Sequence, residues 1–177
     1  MKSHPRGEAS EVAELSRKIR MNSRKEPELL CKGKSFHRKI QAAWLATADG
    51  VVESEKSVIK VSGRKGRIDV FADGGNTKAL VEIKATNWDS MTNTAIKRNV
   101  CRHARQIWNY VEVQPNNSSG VCPGIVFPKR PAAPCRMRLI EKMFAAEGIA
   151  VAWEDETVKE RQKRTYSGRR SSSALQS

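Results

Sequence analysis

Residues 66–86 read GRIDVFADGGNTKALVEIKAT, and this stretch decides the fold. Two runs rich in β-branched and apolar residues, 67–72 and 78–85, flank the tetrapeptide DGGN at 73–76. Glycine and asparagine readily adopt the positive φ angles that tight turns between paired strands require. The stretch therefore predicts an antiparallel β-hairpin.

Side chains alternate between the two faces of a strand, so the hairpin sorts its residues into two sets. On the second strand, one face is apolar and the other carries Glu82 and Lys84 next to Leu80. On the first strand, Asp69 is expected to point with Phe71, away from an apolar face. The apolar faces consist of Ile68, Val70 and Ala72 on the first strand and Ala79, Val81, Ile83 and Ala85 on the second. Because a hairpin pairs its two strands, Asp69 is predicted to lie close to Glu82.

Outward from the hairpin, the hydrophobic periodicity predicts further helices and strands. Helices are predicted at 35–48, 94–113 and 134–147, and strands at 51–61, 121–127 and 149–153. The order helix, three strands, helix, strand, helix, strand is typical of an α/β fold, a mixed sheet flanked by helices.

Three regions differ in composition. Residues 1–33 form a helical or flexible extension in which 9–20 have helical spacing, and residues 34–154 carry the apolar pattern of the folded domain. Residues 155–177 are basic and serine-rich, which predicts a disordered tail.

The chain is strongly basic, with 33 Lys and Arg against 19 Asp and Glu in 177 residues and a formal net charge of +14. Nucleic acid is the commonest partner of such a chain, ahead of an anionic membrane or an acidic protein. No run approaches the roughly 20 apolar residues that span a bilayer, and the first residues lack the apolar segment of a secretory signal. The four cysteines form no C-x-x-C pair, which argues against structural zinc and for reduced thiols. We therefore expect a cytoplasmic protein that binds nucleic acid and not membrane.

The two acids and the lysine predicted on one face of the hairpin suit the hydrolysis of phosphodiesters. Two carboxylates can hold a hard divalent cation such as Mg²⁺, which prefers oxygen ligands, polarises phosphoryl oxygens and lowers the pKa of bound water. Lys84 beside the cation can orient or deprotonate the attacking water, or stabilise the developing charge. The alternative is a structural pair of Glu82 and Lys84 on a solvated face. An aspartate on the partner strand favours the chemical role.

The run GRIDV followed by EIKAT resembles the core of the PD-(D/E)XK nucleases, which have the restriction-endonuclease-like fold. Asp69 matches the first acid of that motif, and residues 82–84 match its E-x-K. The family's α-β-β-β-α-β core agrees with the predicted order, and the run is especially similar to archaeal-type Holliday junction resolvases. The resemblance implies a metal ion, Mg²⁺ or Mn²⁺, bound by Asp69, Glu82 and the carbonyl of Ile83. It also implies that Lys84 is the catalytic lysine.

A second match lies in the helix predicted at 94–113. Gln106 and Tyr110 fit the Q-x-x-x-Y signature of RecB-like and lambda-exonuclease-like members, and four-residue spacing puts them on one helical face. His103 joins the same stripe. The resemblance implies that Gln106 and Tyr110 lie near the active site and the nucleic acid, so both are catalytic candidates.

The first predicted helix departs from the family pattern. Many members carry a metal-site glutamate there, but residues 35–48 contain no acid, and His37 or Gln41 occupies the equivalent position. Three alternatives stay open: a site with two acids, recruitment of Glu53 or Glu55 from the first strand, or a degenerate site.

Basic residues cluster around the predicted site. They are Arg64, Lys65 and Arg67 in the turn before Asp69, and Arg98, Arg102 and Arg105 on the helix at 94–113. Phosphate contacts from such residues give affinity without sequence specificity. The prediction is a metal-dependent nuclease that acts on DNA rather than RNA, with a homodimer left open. The alternatives are a nuclease fold that binds nucleic acid without cleaving it, and a basic protein that binds an acidic partner.

Overall fold

The computed structural model describes residues 27–48, 50–114, 120–157 and 159–160. The elements follow in the order α-β-β-β-α-β-α-β. They are α1 (Glu28–Thr47), β1 (Val51–Ile59), β2 (Lys65–Asp73), β3 (Thr77–Ile83), α2 (Asn93–Val111), β4 (Gly120–Phe127), α3 (Pro134–Ala146) and β5 (Ala150–Trp153). This order confirms the predicted α/β fold.

The chain divides into two units, Met1–Lys34 and Ser35–Ser177. In the first unit the described part is the start of α1, where the Pro27 carbonyl accepts hydrogen bonds from the N–H groups of Leu30 and Cys31 at 2.9 and 3.1 Å. The first helix was predicted to begin at residue 35, but α1 begins earlier, at Glu28. Proline suits a helix start even where apolar periodicity is weak. The helix predicted at 9–20 and most of the tail predicted at 155–177 lie outside the described residues, and the three-region division stays a prediction.

The second unit contains a five-stranded sheet in the order β1-β2-β3-β4-β5. The pairs β1–β2 and β2–β3 are antiparallel, whereas β3–β4 and β4–β5 are parallel. The predicted hairpin joins β2 to β3, with Asp73 opposite Lys78. Its turn has Gly75 at φ +81°, and the Gly75 N–H donates to Asp73 Oδ1 at 3.0 Å. Only glycine adopts this angle without cost, which explains the tetrapeptide DGGN.

Two hydrophobic clusters cover the two faces of the sheet. One packs Leu80 of β3 and Phe127 of β4 against α2 and α3, and it buries Ile96, Val100, Ala104 and Ile107 of α2. The other packs Ile40 of α1 against Val70, Val81, Ile83 and Val126. The face prediction for β3 is therefore confirmed, since Leu80 and Val81 belong to opposite clusters.

The face prediction for β2 was wrong at Ile68, which packs in the same cluster as Phe71 rather than with Val70. The pairing of β2 is irregular here on both sides. Its register with β3 begins at Val70, and its register with β1 passes from Ser54 opposite Val70 to Lys56 opposite Ile68, with no pair recorded for Asp69. Strict alternation needs regular pairing, and it fails around Asp69 where that pairing is interrupted.

Candidate functional site

Asp69 occupies the point where β2 and β3 separate. Its side chain is buried, and the two carboxylate oxygens face different elements. Oδ2 accepts a hydrogen bond of 2.7 Å from the Ile83 N–H, and Oδ1 lies 3.8 Å from His37 Nδ1 on α1. The separation of the strands frees the Ile83 N–H for this bond, because β2 does not pair with β3 before Val70. Asp69 therefore joins the hairpin to α1.

Glu82 lies one residue from that contact and is only 1% exposed. Its Oε1 accepts hydrogen bonds from Lys84 Nζ and from Gln106 Nε2, the latter at 2.6 Å. Its Oε2 is also buried and has no hydrogen-bond partner among the described residues. A buried carboxylate oxygen without a donor is costly, and a cation is the ligand that would satisfy it.

The two buried acids share one electrostatic environment. Burial and the neighbouring Asp69 charge raise the pKa of Glu82 to about 7, although Lys84 and Gln106 act against the rise. Burial likewise raises the pKa of Asp69, against the Ile83 N–H and the charges of Lys84 and His37. Two carboxylates held close to each other repel, and a cation bound nearby would relieve this repulsion.

Asp69 also belongs to a second group of residues that could bind a metal ion. His37, Glu55 and Asp69 each offer one atom, and these atoms all lie within 4.8 Å of one another, as metal binding requires. Gln41 holds the group together, since its Nε2 donates to Glu55 Oε1 at 2.6 Å and to the Asp69 carbonyl at 3.1 Å. The three residues come from α1, β1 and β2, so the fold alone assembles them.

Glu55 adopts a backbone conformation that a glutamate rarely takes. Its φ is +57°, and it lies at the gap in the register between β1 and β2. Such an angle costs about 1–3 kcal/mol and persists where the surroundings enforce it, often at functional sites. Arg67 Nε forms an ion pair with Glu55 Oε2. The strain places a carboxylate beside Asp69, where a regular strand would not.

The structure brings together the five predicted catalytic residues. Asp69, Glu82, Lys84 and Gln106 are linked as described above, and Gln106 Nε2 lies 3.3 Å from the Tyr110 hydroxyl. Sequence reasoning left His37, Gln41 and Glu55 as alternatives, and the acid-free first helix was the signal for them. The roles assigned to the individual residues, including the Ile83 carbonyl, stay predictions.

The six predicted cationic residues are all exposed. They do not form one uniform cationic surface, because two of them have partners within the chain. Arg67 is paired with Glu55, and Arg102 donates a hydrogen bond to Asn99 Oδ1 at 2.6 Å. The Arg102 charge also helps to lower the pKa of His103.

Tyr110 is held by a feature that sequence reasoning missed. Its ring is 4% exposed, and Lys60 Nζ lies 5.0 Å from the ring centroid. Gly66 on β2 faces the same ring: a Cβ atom at Gly66 would lie 2.6 Å from Tyr110 Cε1 and 2.7 Å from Lys60 Cε. Close approach of the glycine backbone therefore gives the tyrosine its place beside Gln106.

We expect Gly66→Ala to displace Tyr110 and to destabilise the fold by about 1–3 kcal/mol, because the added methyl group overlaps a buried ring. Urea denaturation measures the free energy of unfolding, and the NMR signals of the Tyr110 ring report its displacement. Gly120→Ala is the matched control, since a Cβ atom there meets no described residue within 4 Å. Equal free energies of unfolding for the two variants would contradict the role given to Gly66.

His103 is a buried polar group near the same site. It is 4% exposed, and neither ring nitrogen has a hydrogen-bond partner among the described residues. Burial, together with the charges of Lys84 and Arg102, lowers the pKa of His103 to about 4. The imidazole is therefore neutral at pH 7.

This lowered pKa predicts a loss of stability in mild acid. The unfolded chain takes up a proton on His103 near pH 6.5, whereas the folded chain takes it up near pH 4, so stability falls as pH drops between these values. Relative to His103→Leu, the wild-type protein is expected to lose about 2 kcal/mol between pH 7 and pH 5. Urea denaturation of both proteins at the two pH values measures this difference, and an unchanged difference would refute the neutral state.

Comparison with known proteins identifies no family. The chain matches no model of a known protein family and no curated protein. A solved structure described as a protein of unknown function, AF1548, is similar to it with 15% sequence identity and a TM-score of 0.48. The match covers 71% of this chain and 61% of that one, so this chain spans about three fifths of the length of AF1548. Within the described residues, no helix combines the length and the apolar character needed to cross a membrane.

Proposed function

We propose that this protein is a metal-dependent phosphodiesterase, a nuclease of the PD-(D/E)XK type. The observation that carries the proposal is the Glu82 carboxylate, which is buried beside Asp69, accepts from Lys84 on one oxygen and receives no donor from the described part of the chain on the other. The element order and the motif spacing agree with the family. The fold and the sequence motif support the family independently, because the order of helices and strands does not depend on which residues are acidic.

The donor set suits a divalent cation. Carboxylate oxygens from Asp69 and Glu82 are hard ligands, and both groups are held in surroundings that favour a nearby positive charge. When bound there, such an ion supplies charge neutralisation on a phosphate and a more acidic water. The Ile83 carbonyl is the third ligand that the family resemblance implies.

The protein's own side chains have separate tasks in this proposal. Gln106 donates to Glu82 Oε1 and so fixes the orientation of the carboxylate. Lys84 donates to the same oxygen, so its ammonium would lie beside a phosphate bound at the metal site. There it orients or deprotonates the attacking water, or stabilises the charge that develops on the phosphate.

The cluster of His37, Glu55 and Asp69 bears on the identity of the ion. Oxygen ligands suit Mg²⁺ and Mn²⁺ alike, whereas an imidazole ligand favours a transition-metal ion over Mg²⁺. We propose Mg²⁺ or Mn²⁺ as the cofactor, with Mn²⁺ preferred where His37 takes part. Glu55 then provides the acid that the first helix lacks.

A plasmid-nicking assay tests the proposal. Supercoiled DNA is expected to be nicked in the presence of Mg²⁺ or Mn²⁺ and to stay intact in EDTA. A panel of single-stranded, duplex and branched DNA and of RNA then defines the substrate, and we expect DNA to be preferred. Absence of cleavage across the panel with either ion would exclude the enzyme.

The acid-free first helix favours a second candidate, a nuclease fold that binds nucleic acid without cutting it. Gel-shift and metal titrations separate the two candidates. The inactive protein would bind DNA with a steep salt dependence, but it would show no rise in melting temperature on addition of Mn²⁺.

A further inference from the structure

A cavity of about 330 Å³ opens at the segment that follows Lys84 in the chain. One wall is Ala85–Asp89, which follows β3, and the other is Pro128–Pro131, which follows β4. These two strands are parallel, so the cavity lies at their carboxyl ends, where α/β proteins commonly bind ligands. Its volume is at the lower end of the range for small-molecule sites.

The two walls are tied to each other and so form the cavity without a ligand. Asp89 Oδ1 accepts a hydrogen bond of 3.0 Å from the Ala132 N–H. Arg136 Nη1 donates to the carbonyl oxygens of Trp88 and Asp89 at 3.1 and 2.7 Å. Asn87 Oδ1 stabilises the first wall by accepting from the Asp89 N–H at 3.1 Å. A binding site that is preformed loses little conformational entropy when a ligand binds.

The two cationic residues of the second wall differ in availability. Arg130 is engaged by Asp155, through its own N–H to Asp155 Oδ1 and its Nη2 to the Asp155 carbonyl, both at 2.9 Å. Lys129 is exposed, and no contact to its ammonium is recorded within the described ranges. Lys129 is therefore the cation that a phosphate group entering this cavity would meet.

The remaining lining offers both donors and acceptors. Thr86 contributes a hydroxyl and Asn87 an amide, while Asp89 contributes acceptor oxygens beside apolar Pro128 and Pro131. A bare phosphate needs donors only, and a carboxylate in the lining would repel it. A nucleotide matches the whole set, because a base edge carries donors and acceptors, its faces are apolar, and its phosphate needs a cation.

We propose that this cavity binds one nucleotide of the substrate strand, next to the phosphodiester that faces Lys84. The proposal rests on the nuclease function and deepens it. A nucleotide in this cavity has left the base stack, so the preferred substrate presents unpaired nucleotides: a single strand, an end or a flap. An intact duplex would first have to unstack a base at a cost of a few kcal/mol.

The test is an NMR titration of the full chain in EDTA with each of the four deoxynucleoside 5′-monophosphates, and with inorganic phosphate in a separate arm. The expected result is saturable shifts of the backbone amides at 86–89 and 129–130 for at least one nucleotide. Lys129→Ala is expected to weaken that binding about fivefold to tenfold, and to raise KM without changing kcat in the cleavage assay. Lys142→Ala, an exposed lysine on α3, is the matched control and should bind as the wild type does.

Equal shifts with inorganic phosphate would reduce the cavity to an anion site and overturn the proposal. So would shifts confined to other residues, or binding that Lys129→Ala leaves unchanged. Because the titration excludes metal ions, it does not depend on catalysis. Nucleotide binding without cleavage would refute the nuclease function alone, and cleavage without nucleotide binding would refute the nucleotide site alone.

Discussion

Lys84→Ala is expected to abolish metal-dependent cleavage while nucleic-acid binding persists. The Lys84 ammonium contacts Glu82 Oε1, at the proposed metal site. Its removal takes away a proton donor or acceptor and a stabilising charge from the transition state, which costs about 10²–10⁴-fold in kcat. Binding depends mainly on exposed basic residues elsewhere, so the affinity for DNA should change little.

The measurement is the initial rate of plasmid nicking under single-turnover conditions, together with a gel shift in EDTA. Lys142→Ala, purified in parallel, controls for the loss of one positive charge and for contaminating nuclease. Because the Lys84 side chain is partly exposed, its truncation should not unfold the protein, which circular dichroism can verify. Equal nicking by the wild-type and Lys84→Ala proteins would reject the assignment of the site.

Glu82→Gln is expected to have two opposite effects: loss of metal binding and a more stable metal-free protein. Glu82 has a folded pKa of about 7 against an ordinary value of 4.5. Its contribution to stability is therefore present below pH 4.5 and is lost as pH rises through 7, so the ionised group destabilises the fold at pH 8. Glutamine keeps the shape and the acceptor oxygen without the charge. The expected gain is about 1–2 kcal/mol, a rise of a few degrees in Tm.

Thermal melting at pH 8, with EDTA and with Mn²⁺, measures both effects. Mn²⁺ should raise the Tm of the wild-type protein and leave that of Glu82→Gln unchanged, because the variant has lost a charged ligand. Glu112→Gln, at an exposed glutamate after α2, controls for the change in net charge. A variant that is less stable than the wild type in EDTA would contradict the electrostatic origin of the raised pKa.

Two features of the site could be predicted from the sequence because they depend on neighbouring residues of the chain. The hairpin turn and the two-residue period of β3 were enough to place Asp69 near Glu82 and Lys84. The four-residue spacing of Gln106 and Tyr110 gave their shared helical face. In each case the decisive distance is short in sequence, so local geometry limits the outcome.

Other features were beyond sequence reasoning because they join distant parts of the chain. Glu55 rather than Glu53 lies beside Asp69 because Glu55 has a positive φ angle and lies at a gap in strand pairing. No residue pattern predicts either feature for a glutamate. The contact of Gly66 with Tyr110 joins the start of β2 to the end of α2. The placement of Ile68 failed for the same reason, since the alternation rule assumes regular pairing on both sides.

The amino-acid sequence by itself determined the order of helices and strands, the hairpin and the pair of acids with their lysine. Periodicity, turn residues and short spacings act within one or two elements, so they need no knowledge of the packed whole. Tertiary structure decided that Asp69 meets His37 and Glu55, that Glu82 keeps one oxygen without a donor from the described residues, and that the two segments after β3 and β4 line one cavity. These depend on which elements pack together and on how much water the packing removes, and both are properties of the folded chain.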